Sequence, residues 1–210
     1  MRRQTERGFS IAEVLVATAI SGILSAGVLT MVSSTTRNYS KQQAQNDAVW
    51  QGRAAIDLML REFRMAGYPS KSNYATSTGI TPANSNLVAS PFITATATDV
   101  VFEADLDGNG IAERVEYRLS GTTFQRSDVP KNADGSVPAA NYQTVVTNVA
   151  NGASPIFIYT VDPYSTVTPP GNTNRVRIVL ILQTATPDPT NRQYRTYQFE
   201  GVAYRENPDH

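Results

Sequence analysis

The chain has 210 residues, with 18 Lys and Arg against 18 Asp and Glu, so its formal net charge is zero and no electrostatic grip on nucleic acid is expected. It contains no cysteine, which excludes a disulfide framework and thiol chemistry and leaves stability to packing or to a bound metal. The length suffices for one modest domain and a long helix beside it.

Residues 1–8 hold Arg2, Arg3 and Arg7 against Glu6, a balance of +2, so the rest of the chain carries −2. From Val14 to Thr36 no side chain is charged over 23 residues. A bilayer core of ~30 Å needs about 20 apolar residues of helix, so Val14 to Val32 can span a membrane. The arginines ahead of this run keep the start of the chain on the cytoplasmic side and send the remainder outward. Glu13 is the anomaly. A carboxylate at mid-bilayer costs roughly 2.5–3.5 kcal/mol, so an acid at the start of such a helix calls for a partner.

No proline interrupts the chain before Pro69. A helix from Phe9 to Ala66, about 58 residues, would reach ~87 Å, well beyond one membrane thickness. Its second half must therefore continue into water as an amphipathic helix. Val49, Ile56, Met59, Leu60 and Phe63 fall at helical spacing, with Arg53, Asp57, Arg61 and Arg64 on the other side. Gly67 is the expected C-cap and Pro69 bars continuation. In the apolar half, Ala17, Ser21 and Ser25 form one four-residue row and Thr18, Gly22 and Ala26 another. Such rows suit close helix packing in lipid, and small residues are also common in membrane helices generally.

Ser70 to Thr98 is rich in Thr, Ser, Ala and Asn and reads as a surface loop with one short strand near Asn86 to Val88. A second Thr/Asn-rich loop is expected over residues 128–152. Strands are predicted at Val100 to Phe102, Val115 to Leu119, Phe157 to Tyr159, Arg175 to Leu182 and Tyr197 to Tyr204. Turn signals at Ser120-Gly121 and Pro169-Pro170-Gly171-Asn172 separate them, and the short spacings predict a mostly antiparallel sheet. Val179 and Ile181 place apolar side chains on the second face of one strand, which points to a central strand. Ile56, Met59, Leu60 and Phe63 of the helix are the predicted cover of the sheet.

The segment Asp105 to Glu116 fits the twelve-residue calcium-loop template at several positions. Calcium takes six to eight oxygens, and the spacing offers Asp105, Asp107, Asn109, the Ile111 carbonyl, Glu113 and a bidentate Glu116, with Gly110 at the bend. Two features depart from the template: the residues after Glu113 alternate like a strand, and Ile111 comes one place early. A polar hairpin turn selects the same Asp, Gly and Asn residues, so both readings stand.

No catalytic set emerges. The one histidine is His210, there is no phosphate-binding glycine loop with its Lys, and no Ser sits in a Gly-x-Ser-x-Gly setting. Glu103 and Asp105, at alternate positions of a predicted strand, read as surface charges, and an enzyme is not expected.

Arg7-Gly8-Phe9-Ser10-Ile11-Ala12-Glu13 combines a basic leader ending in Gly, then Phe, then an apolar helix with Glu at its fifth residue. This resembles the type IV pilin and pseudopilin signature. The resemblance implies cleavage between Gly8 and Phe9 by a prepilin peptidase and N-methylation of Phe9. It also implies that Glu13 pairs with the terminal amine of a neighbouring subunit in a filament. An ordinary secretory signal cut near Ser25-Ala26-Gly27 and a simple membrane anchor compete for the same residues. Met59 to Tyr68, Arg175 to Ile178 and Val202 to Asn207 look like PilW-type minor pilins and the related J-type pseudopilins of type II secretion.

The resemblance thus implies an α+β pilin fold, one long N-terminal helix packed on a mostly antiparallel sheet. Its divisions are a cleaved leader at 1–8, a transmembrane and filament-core half at 9–36, an amphipathic half at 37–67 and a β-rich domain at 68–210. The expected partners are the inner membrane, prepilin peptidase and other pilins or pseudopilins. The expected role is a minor pilin that primes or caps a pilus, with a type II secretion pseudopilin or a pilus-displayed adhesin as the alternatives.

Overall fold

A computed structural model describes residues 9–70, 85–161 and 173–205. Gly8 with the leader, the 169–172 turn, the end of the 202–207 phrase and His210 lie outside the described residues. The chain divides into two compact units, Met1–Ala44 and Gln45–His210, joined within one helix, α1 (Ile11–Met65).

In the first unit every residue from Phe9 to Ser40 is exposed, including Ile11, Leu15, Ile23, Leu24 and Met31. Helix here is permitted by the absence of proline, and several of its hydroxyls bond back to its own carbonyls. Thr18 donates to Val14 O at 2.9 Å, Thr30 to Gly27 O at 2.8 Å, and Thr35 and Thr36 to Met31 O and Val32 O at 2.9 Å. Each hydroxyl is thus satisfied within the helix, which an apolar surrounding requires.

The second unit is built from the rest of the helix and two antiparallel sheets. In the first sheet β1 (Thr94–Ala95), β2 (Val100–Ala104), β3 (Glu113–Ser120), β4 (Thr123–Pro130) and β5 (Gln143–Val146) lie in chain order. In the second, β7 (Thr173–Gln183) runs between β6 (Phe157–Val161) and β8 (Thr196–Tyr204). The expected single sheet is therefore two. The central placement expected for Arg175 to Leu182 holds, and β3 and β4 turn through Gly121 at φ 62°. In β7, Val176, Ile178, Leu180 and Leu182 face the core, while Val179 is also buried and Ile181 half-buried.

Helix and strands meet where the sequence pattern places the apolar stripe. Ile56, Met59 and Phe63 are buried and Val49 and Leu60 half-buried, whereas Arg53, Asp57, Arg61 and Arg64 are exposed. Phe63 is the hub: its ring lies 5.2–5.9 Å from those of Phe92, Phe102, Tyr117 and Phe157, mostly edge to face, so helix and both sheets share one core. Two glycines let backbone and ring approach closely. A Cβ on Gly52 would run into the Phe199 ring, and one on Gly201 would come within 2.8 Å of Leu60. The helix ends as expected: Gly67 takes φ 84° and its N–H donates to Glu103 O at 2.8 Å.

Four expectations are corrected. Asn86 to Val88 is not a strand, and the short strand is β1. Nor are the described residues of 85–92 a surface loop: Val88, Ala89 and Phe92 are buried. Their backbone is satisfied by scattered bonds instead of a ladder, Glu103 N–H to Ser90 O at 2.9 Å and Ala89 N–H to Pro69 O at 2.8 Å. Residues 128–152 likewise contain the end of β4 and all of β5. Finally, Glu103 is 1 % exposed, and Asp105 is buried too. Glu103 accepts from Lys131 Nζ at 3.0 Å, Arg114 at 2.9 Å and the Ser90 amide at 2.9 Å, which offsets the cost of burying its charge.

Candidate functional site

The helix start holds the first candidate site. Phe9 and Ser10 precede the helix, and the ladder begins with Val14 N–H donating to Ser10 O at 3.2 Å. Ser10 and Glu13 bond reciprocally: the Ser10 N–H donates to Glu13 Oε2 at 2.9 Å and the Glu13 N–H to Ser10 Oγ at 3.3 Å. This is a capping box, in which each side chain satisfies an amide that the helix leaves without an acceptor. The carboxylate also faces the positive end of the helix dipole. Ser10 was not singled out in the sequence, although Ser-x-x-Glu before an apolar run carries that signal.

From Phe9 to Thr36, Glu13 is the only charged side chain, and it is exposed. Phe9, Glu13, Val14, Ala17, Thr18 and Ser21 line a shallow groove along the helix, so the residue rows read from the sequence lie beside the acid. Among the described residues α1 is the one helix long and apolar enough to cross a membrane. With the carboxylate already accepting an N–H, less of its bonding capacity is lost on leaving water than for a bare side chain.

The Asp105 loop is the second candidate. Carboxylate oxygens of Asp105, Asp107 and Glu113 lie within 4.8 Å of one another. Each also accepts from the loop's own amides. Asp105 takes the Gly108 and Gly110 N–H at 2.8 and 2.9 Å, Asp107 takes Asn109 at 3.0 Å, and Glu113 takes Leu106 at 2.8 Å. Asn109 bonds Asp107 through its own side-chain amide at 2.8 Å and accepts the Ile111 N–H at 2.7 Å. Gly108 and Gly110, at φ 74° and 86°, permit these nested turns.

Glu116 does not join them. On β3 it alternates with Val115 and Tyr117, on the face opposite Glu113, and accepts from the Tyr142 hydroxyl at 2.5 Å. Glu113 has its carboxyl pushed above the usual 4.5, first by burial, with the Leu106 amide opposing and Asp107 and Asp105 adding repulsion. The structure thus groups three acids of the template and leaves its bidentate position elsewhere.

Away from both places the helix contributes a buried acid that the sequence pattern did not reveal. Glu62 is 5 % exposed and accepts from Tyr117 Oη at 2.6 Å and from Arg126 at 2.8 and 3.0 Å. Burial and the adjacent Glu62 carboxylate push the Tyr117 phenol well above its ordinary value. Burial alone would lower the Arg126 guanidinium, but its bonds to Glu62 hold it above its usual range. A fully paired, interlocked set of this kind ties helix to sheet.

Comparison with known proteins bears on the first site. Residues 3–29 match the family described as the prokaryotic N-terminal methylation motif. No curated protein matches the chain. The match takes in Gly8, Phe9, Ser10 and Glu13 and most of the exposed apolar helix. It supports a type IV pilin or pseudopilin-like protein, structural in role and anchored in a membrane by this helix.

Proposed function

We propose that the chain is a minor pilin of a type IV pilus, cut by prepilin peptidase between Gly8 and Phe9, methylated at Phe9 and assembled with other pilins to prime or cap the fibre. The observation that carries the reading is a coincidence at one place: the methylation motif falls on the stretch Phe9 to Thr36, helical from Ile11, whose apolar side chains are all exposed and whose one charged side chain is Glu13. An apolar rod of this kind is stable only in lipid or against other such rods. Before assembly it lies in the inner membrane, with the β-rich domain outside the cytoplasm.

In a filament the Glu13 carboxylate exchanges part of its bonding to Ser10 for the amine of Phe9 on a neighbouring subunit. Each of those charges is costly to bury alone, and pairing relieves both and sets axial register. The β-rich domain, with its charged outer helix face, stays in water. Sheared fibres from cells making the wild type and Glu13→Gln should contain the first and lack the second, while both are made and processed. Fibres free of the wild-type chain, or carrying both forms equally, would overturn the reading.

A further inference from the structure

In the second unit the solvent side of α1 gathers charge that nothing answers. At about 100° per residue, Trp50, Arg53, Asp57, Arg61 and Arg64 fall within an arc of about 80°, away from the side that buries Ile56, Met59 and Phe63. All five are exposed, Trp50 at 72 %. Among the described residues none of the four charged groups enters an ion pair, although Arg53, Asp57 and Arg61 stand at the four-residue steps that allow one. Three arginines against one acid give this face a charge of +2. A single exposed indole is ordinary. Trp50, however, is the chain's one tryptophan and lies among these arginines, and Trp with Arg is the composition of binding hot spots.

We infer that this helix face is a docking surface for a second copy of the chain, which presents to it the acidic remainder of its own domain. From residue 45 onward, 16 acids stand against 13 Lys and Arg, and with this face set aside the remainder holds 15 against 10. The face and the rest of the domain are therefore complementary in charge. Two copies cannot join face to face, since that would set arginines against arginines. They join face to remainder, a heterologous contact in which the arginines of one copy meet carboxylates of the next and Trp50 excludes water around them. Such a contact leaves the second copy's own face open, so association continues beyond a dimer. The inference goes beyond the pilin reading and does not depend on it, because neither processing nor Glu13 enters.

The test is sedimentation of the purified full chain in detergent. The wild type should form concentration-dependent dimers and larger species in about 0.1 M salt and lose about tenfold in association constant in about 1 M salt. Arg53→Glu combined with Arg61→Glu should weaken association about tenfold or more, and Trp50→Ala about tenfold. Asp57→Asn carries the opposite sign: removing the face's one acid should tighten association about twofold, a gain that a misfolded chain cannot give. With Arg61→Lys, a zero-length carbodiimide should join the residue-61 amine to a carboxylate of another copy, seen as a cross-link between isotopically light and heavy chains. A wild type that stays monomeric would overturn the inference, and so would cross-links found only within single chains. Association unchanged by the double charge reversal would also overturn it, by assigning the contact to the exposed apolar helix. So would a monomeric wild type held on anionic phospholipid vesicles through the two arginines, which would give the face to a membrane surface.

Discussion

Two glutamates on one helix, Glu13 and Glu62, meet opposite surroundings. Around Glu13 the apolar side chains face outward and, among the described residues, the carboxylate accepts the Ser10 amide. Around Glu62 the apolar side chains are buried and the carboxylate receives a phenol and a guanidinium from β3 and β4. The helix after Gln45 contributes to the core of its unit, whereas the helix residues up to Ser40 are all exposed. What differs is whether the counter-charge is part of the same domain. Glu62 is therefore an acid of stability, and Glu13, on the pilin function proposed above, is an acid of assembly.

That contrast can be broken most sharply by removing each acid in turn. Glu62→Ala leaves the buried Tyr117 hydroxyl without its acceptor and the half-buried Arg126 with Asp128 alone, and it should destabilise the β-rich domain by about 3 kcal/mol. Glu13→Ala should leave the melting temperature of that domain within about a degree, since the carboxylate is bonded at the helix start, to the Ser10 amide. Comparable losses from both, in thermal melts of the full chain in detergent, would erase the distinction. The contact of helix with β8 is a finer probe. Gly201→Val pushes atoms against Leu60 and Ile56 and should cost about 1–3 kcal/mol, whereas Gly27→Val, in the exposed stretch, should leave the domain's melting temperature unchanged.

The smallest expected effect concerns the acidic loop. Burial raises the Glu113 carboxyl, so the fold favours its protonated form. Its contribution is fully present below the ordinary value of 4.5 and is lost as pH rises through the folded value. Glu113→Gln should therefore lose less stability than wild type between pH 4 and pH 7, by about a degree or two in melting temperature. Millimolar calcium should shift the wild-type melt by no more than about a degree, because Glu116 is engaged with Tyr142 and the loop amides already occupy the acids. A rise of several degrees that Asp107→Ala abolishes would show instead that the loop recruits the cation.

Much of this was legible in the residues because it follows from strong periodicity. The proline-free stretch, Gly67 at its end and the alternation of apolar with charged positions define α1 and its buried side. The continuous apolar run Ile178 to Leu182 marks β7 as a central strand. The elements missed are those whose inward positions are polar or sparse. In β4 the buried side chains Phe124, Ser127 and Val129 are spread among Gln125, Arg126 and Asp128, which hide the strand. Glu103 read as a surface charge, and Glu62 was not singled out, because partners such as Lys131 and Arg126 are 28 and 64 residues away in sequence. At the candidate sites, local chemistry was readable down to Glu13 and the Asp105 turn. The strand-like alternation after Glu113 already set Glu116 apart from the template, but its bond to Tyr142, 26 residues away in sequence, was not readable.

The central claim is that the exposed helix is a processed pilin segment, neither a discarded signal nor an inert anchor. Mass spectrometry of the N-terminus of the chain purified from its native membrane tests it most directly. The account predicts a single mature form beginning at N-methylated Phe9. A chain that starts at Met1, or one cut near Ser25-Ala26-Gly27, would contradict it.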